Sequence, residues 1–143
     1  MEILTKVYGP VEIDEKQKIV FPEGLYGFEN IKDFALIAAE QTPFFYLQSI
    51  TNKDVAFILI DPFLFCPEYE PDVDNDELAA IGIHDPQDAL VFAIITIRPD
   101  SNMTANLQGP LIVNRKNRLG RQAILSDPRW EIQHEIEIVE ESC

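Results

Sequence analysis

Between Asp61 and Glu77 the chain sets large apolar rings among carboxylates. Phe63, Phe65 and Tyr69 stand beside Glu68, Glu70, Asp72, Asp74, Asp76 and Glu77, while Pro62 and Pro67 limit regular strand pairing. Where such rings face solvent they supply the buried anchors of a protein interface, and the carboxylates steer a basic partner towards them, chiefly by raising the association rate. These nine residues form the candidate partner-binding surface. Alternation along the segment equally allows all three rings to lie on one buried side, the ordinary place for an aromatic side chain.

The other chemistry-bearing residues do not assemble into a reaction. Cys66 has no neighbouring base in sequence, His84 and His134 stand alone, and no G-x-S-x-G or H-E-x-x-H pattern occurs. His84 precedes Asp85-Pro86 and reads as a solvated or capping residue in a turn. Cys66 and Cys143 are the two cysteines, with no C-x-x-C spacing, so neither a disulfide scaffold nor a zinc site is expected. Gly24 and Gly27 follow a predicted strand, which raises the question of a phosphate cradle. The loop lacks the Lys-Ser/Thr of a P-loop and the third glycine of a dinucleotide fold, and reads as a sharp turn bearing aromatic plugs. No catalytic residue, metal ligand or cofactor site is assigned.

Charge narrows the partners further. The 143 residues carry 25 Asp and Glu against 11 Lys and Arg, a net charge of −14, which repels phosphate backbones and attracts basic surfaces. Direct nucleic-acid binding is not expected. The N-terminus has no basic segment leading into an apolar stretch, and no run approaches the ~18 apolar residues of a membrane span. The expected compartment is the cytoplasm.

The elements that must position these residues are short, rich in β-branched and aromatic residues, and broken by Pro, Gly, Asn and Asp, the rhythm of antiparallel sheets. Strands are predicted over residues 3–8, 11–13, 18–21, 34–39, 44–49, 55–61, 89–98, 103–107, 111–113 and 122–125. The stretch 89–98 is apolar on both alternate sets and reads as a central strand covered on both faces. One helix signal starts at Asp74, where Glu77 completes a capping-box pair before Leu78, Ala79 and Ile81, with Gly82 placed to stop it. The tail from Trp130 fits two periods: Ile132, Ile136 and Val139 suit a helix, whereas Ile132, His134, Ile136 and Ile138 alternate as a strand. The expected architecture is mainly β, a small antiparallel domain closed or nearly closed like a barrel, with one short helix. With 46% apolar residues and no linker or repeat, residues 1–143 read as one domain.

Several stretches together resemble the FliW family of flagellar assembly factors. They are Phe21-Pro22-Glu23-Gly24-Leu25-Tyr26-Gly27-Phe28-Glu29, Pro43-Phe44-Phe45, Leu47-Gln48-Ser49, Asp61-Pro62-Phe63 with Pro67-Glu68-Tyr69-Glu70, and Asn106-Leu107-Gln108-Gly109-Pro110-Leu111-Ile112-Val113-Asn114, in the family's order through nearly the whole chain. Tyr26, where the family often has proline, and Cys66 depart from the pattern. The resemblance implies a small β-barrel-like fold and a non-enzymatic partner switch, in which the protein binds flagellin or the translational repressor CsrA and so relieves repression of flagellin messenger RNA. Two other readings remain open: a flagellin-specific chaperone without repressor contact, and a small-ligand-binding barrel or enzyme built round the Gly24 to Gly27 loop.

Overall fold

The computed structural model describes residues 1–100 and 102–136. β1 (Glu2–Thr5) and β2 (Gly9–Glu12) pair antiparallel as a separate two-stranded ribbon. The first strand is shorter than its alternation predicts. The Thr5 hydroxyl donates to the Gly9 carbonyl at 2.7 Å and accepts from the Tyr8 amide at 3.0 Å, which turns the chain at Thr5.

β3 (Lys18–Val20), β4 (Asp33–Ala38), β5 (Phe45–Ser49), β6 (Ala56–Ile60) and β7 (Ala89–Ile97) follow as an antiparallel meander, each pairing with the next. The predicted strands at 34–39, 44–49, 55–61 and 89–98 thus stand within a residue or so of their expected ends. Turn residues bound β4, β5 and β6 because each gap between them must return the chain within a few residues, whereas residues 61–88 intervene before β7.

β7 is the pivot of the sheet. One edge takes β6 over residues 93–95, and the other takes β9 (Leu111–Asn114) over 89–92 and β8 (Met103–Ala105) over 95–97. Between β8 and β9 the chain leaves the ladder at residues 107–110 and returns. The Asn106 amide still reaches the Ile94 carbonyl at 2.9 Å, and the Asn106 side-chain oxygen accepts from the Gly109 amide at 2.8 Å. The carbonyls of Gln108 and Pro110 accept from the amides of Leu125 and Ala123. This excursion, with its backbone groups satisfied elsewhere, ends the predicted strand 103–107 at Ala105. It also recruits residues 123–125, so the last predicted strand moves to β10 (Gly120–Gln122), which pairs with β9. β11 (His134–Ile136) pairs with β8, so the tail follows the strand period as far as Ile136. Ile138, Val139 and Cys143 lie outside the described residues.

The expected barrel does not close. The ladder path runs β10, β9, β7, β6, β5, β4, β3, and its two ends meet only through one parallel bridge between Val20 and Leu119. Short terminal strands leave too little backbone for a continuous ladder there. The mainly antiparallel β class stands, with an open sheet.

Both faces of that sheet are buried. Adjacent Leu59 and Ile60 point to opposite sides and are each 1% exposed, and Phe92 and Ala93 one strand over are likewise buried on opposite sides. One face packs Ile60, Tyr69, Ala93, Ile95, Leu107 and Trp130; the other packs Phe21, Phe34, Leu47, Leu59, Phe92 and Leu111. Phe21 sits so close to Gly120 that a Cβ there would lie 2.6 Å from its ring, so only glycine fits.

α1 (Asn75–Ala80) is the one α-helix among the described residues. Asp74 occupies the N-cap position without a side-chain capping bond, so the predicted capping box does not form. Its intended partner Glu77 turns instead to Arg121 of β10, with Nε to Oε1 at 3.2 Å. An ion pair outcompetes the local cap where the tertiary fold supplies a guanidinium. Gly82 ends the helix with φ +79°.

Candidate partner-binding surface

The nine predicted surface residues begin at a 3-10 turn, Pro62–Leu64, opened by the Asp61 carboxylate accepting from the Phe63 amide at 2.9 Å. Pro62 is buried at the first helical position, where no N–H is needed. Anchoring Pro62 turns the next two side chains outwards, so Phe63 is 40% and Leu64 60% exposed. Phe65 is half-buried with its ring 5.7 Å from the His134 imidazole.

Tyr69 departs from the surface expectation. It is 3% exposed, meets Trp130 edge-on at 4.8 Å and donates its hydroxyl to the Leu107 carbonyl at 2.6 Å. The 3-10 turn and the following bend at Cys66 reverse the chain, so Phe63 and Tyr69 lie 5.8 Å apart with one ring out and the other in. Of the three rings, one reaches solvent, one is half covered and one belongs to the core.

Five of the six carboxylates, Glu68, Glu70, Asp72, Asp74 and Asp76, are exposed. Glu77 is half-buried and neutralised by Arg121, whose Nη1 also contacts Glu23. Among the described residues, the run of exposed, unpaired carboxylates therefore ends before Glu77. The Glu68 carboxyl is held below the usual carboxylate range, first by its own backbone amide and then by the Cys66 thiol. Burial pushes the Cys66 thiol up, with Glu68 adding to the effect, which favours the protonated thiol over the thiolate.

What the sequence did not single out is the floor beside this rim. A groove of about 780 Å³ runs between α1 and the sheet. Phe63, Asp72 and Asp76 line it together with Val73, Leu78, Ala79, Ile83, Val91 and Ile112. His84, read as a solvated turn residue, is exposed at its mouth. The floor comes from three regions distant in sequence, and the apolar positions 78, 79, 83 and 91 are indistinguishable in the sequence from ordinary core. The helical spacing of Leu78 after Asp74 was the only local signal.

The Gly24 to Gly27 loop turns through two positive φ values, +69° and +86°. Its amides are used internally: Gly24 donates to the Phe21 carbonyl at 2.8 Å and Gly27 to the Glu29 carboxylate. Glu23 and Glu29 stand around it and the neighbouring Arg121 is committed to Glu23 and Glu77, so the loop's surroundings disfavour an anion. Among the described residues no group of three or more His, Cys, Asp or Glu is placed to hold a metal ion, and no helix is long and apolar enough to cross a membrane.

An open β-sheet carrying a carboxylate-rimmed apolar groove defines a mainly-β protein. The chain belongs to the FliW family: the family model described as FliW protein matches residues 2–136. It is 50% identical over 137 residues to the flagellar assembly factor FliW of Treponema denticola, covering 95% of this chain and 93% of that protein. It is 43% identical to the flagellar assembly factor FliW of Leptospira biflexa, covering 94% and 90%. The crystal structure of a flagellar assembly factor FliW superposes with a TM-score of 0.87 at 37% identity, covering 98% of this chain and 99% of that one.

Proposed function

We propose that this flagellar assembly factor works by exchanging protein partners in the cytoplasm and catalyses no reaction. It binds flagellin, and when flagellin is scarce it binds the repressor CsrA and relieves repression of flagellin messenger RNA translation. Accumulating flagellin then titrates the antagonist and restores repression.

The observation that carries this reading is the outward Phe63 beside five exposed carboxylates, in a chain of this family. An RNA-binding repressor presents basic groups, which an acidic surface attracts and which RNA also needs. A protein of net charge −14 docked beside an RNA site disfavours phosphate whether or not it covers that site. The chaperone reading shares the flagellin contact and omits the repressor.

Calorimetric titration with CsrA, followed by addition of flagellin to the complex, tests the switch. Binding of CsrA and its release by flagellin are expected. Binding of flagellin without CsrA would leave the chaperone reading, and binding of neither would end the partner reading.

A further inference from the structure

From the groove between α1 and the sheet we infer a docking site for one face of an amphipathic helix bearing Lys or Arg along its edges. The inference rests on the partner-binding reading above and specifies the chemistry of what this site takes.

The floor decides what kind of chain can lie there. The floor is a face of the sheet, whose hydrogen bonds run in the plane of the strands: β9 is held between β7 and β10, and β7 pairs with β8 and β9 on one side and with β6 over residues 93–95 on the other. An extended peptide laid on this floor would find no ladder to join, and its own amides and carbonyls would lose water without replacement. A helix satisfies its backbone internally and offers only side chains to the groove. The floor matches that requirement, because Val73, Leu78, Val91 and Ala89 are partly buried apolar side chains resting on buried Ile83 and Ile112.

The polar lining argues against a small molecule. Asp72, Asn75, Asp76 and His84 are all exposed at the rim, so no buried polar group converges on the floor to orient a ligand. The same rim fits a basic helix edge: Asp72 and Asp76 flank the opening, and Asp74 lies exposed between them in sequence. Arg121, which reaches α1 at Glu77, is committed to Glu23 and Glu77 and does not offset it. A cylinder about 10 Å wide, half sunk into 780 Å³, is on the order of 13 residues long, between three and four turns. Phe63, outward at the end of the groove, would cover the last turn.

The test uses a synthetic 14-residue peptide with leucines at helical spacing i, i+3, i+4, i+7 and i+11 and lysines flanking them. Methyl and amide NMR spectra of the whole protein are followed during titration. Shifts concentrated at Val73, Leu78, Ala79, Ile83 and Val91 are expected. Ala79→Trp, a change at an exposed helix position that fills the groove, should weaken binding about tenfold or more. The double change Asp72→Asn and Asp76→Asn should weaken it about threefold at low salt, with the difference fading at high salt. An isomer with the same residues in an order lacking the apolar stripe should not bind. Absence of shifts, shifts outside the groove, or binding unchanged in Ala79→Trp overturns the inference. The partner reading is judged on a separate measurement, whether flagellin and CsrA bind the unmodified protein, so the two fail independently.

Discussion

The Tyr69 hydroxyl donates to the Leu107 carbonyl at 2.6 Å across 38 residues of chain. That bond ties the segment carrying the exposed carboxylates to the excursion between β8 and β9, where the main chain has left the ladder. Trp130 packs edge-on against the same ring at 4.8 Å, so the candidate surface rests on three distant parts of the sequence.

Replacing Tyr69 with phenylalanine keeps the ring and its packing but removes the donor from a buried carbonyl. The cost should be about 1–3 kcal/mol, the penalty of leaving such a group unpaired. Urea denaturation of the Tyr69→Phe protein should show an earlier midpoint with an unchanged slope. An unshifted midpoint would mean that water reaches the Leu107 carbonyl.

Arg121 joins α1 to the loop that follows β3 by contacting Glu77 and Glu23. Arg121 and Glu77 are partly exposed and Glu23 largely so, hence Arg121→Gln should cost no more than about 1 kcal/mol at low salt. The difference from the unmodified protein should shrink in 1 M salt, where the screening length falls to about 3 Å. A salt-independent loss would assign Arg121 a packing role instead.

Two buried acids predict a loss of stability at alkaline pH. Burial raises the Cys66 thiol above its ordinary 9.0 and the Tyr69 phenol above its ordinary 10.0. The unfolded chain therefore releases these protons at lower pH than the native one, and the native state binds more protons over that interval. Their stabilisation is complete below pH 9 and is lost as pH rises beyond it, with a slope of up to about 1.4 kcal/mol per pH unit for each proton. Urea midpoints measured from pH 8 to pH 11 should fall, and the Tyr69→Phe protein should lose the part of the slope that begins near pH 10. A profile that is flat in both proteins contradicts the burial of these groups.

Much of this architecture was legible in local pattern and the rest was not, for identifiable reasons. β7 announced itself because a strand covered on both faces must be apolar at every position, and residues 89–97 are nearly so. The helix at Asp74 was legible, its capping box was not, because the competitor for Glu77 lies 44 residues away. Alternation could not say which side of Tyr69 faced inward, since the 3-10 turn at Pro62–Leu64 resets the phase. Phe63 and five of the six carboxylates are exposed, but the groove that Phe63, Asp72 and Asp76 border could not be read at all. Ile112 joins Val73 and Val91 only through the topology of β7 and β9.

The acidic rim makes its own kinetic prediction. Charges exposed at a rim act on approach more than on the bound state, because solvent screens them once contact is made elsewhere. Changing Glu68, Glu70, Asp72 and Asp74 to lysine inverts the local field at positions that are exposed and carry no structural ion pair among the described residues. Folding stability should stay within about 0.5 kcal/mol of the unmodified protein, as for most surface changes. Association with CsrA, followed by stopped-flow fluorescence, should slow about tenfold or more at low ionic strength. Its salt dependence should flatten or reverse, since screening would then remove repulsion instead of attraction. A rate equal to that of the unmodified protein at every salt concentration would place the CsrA contact on another face.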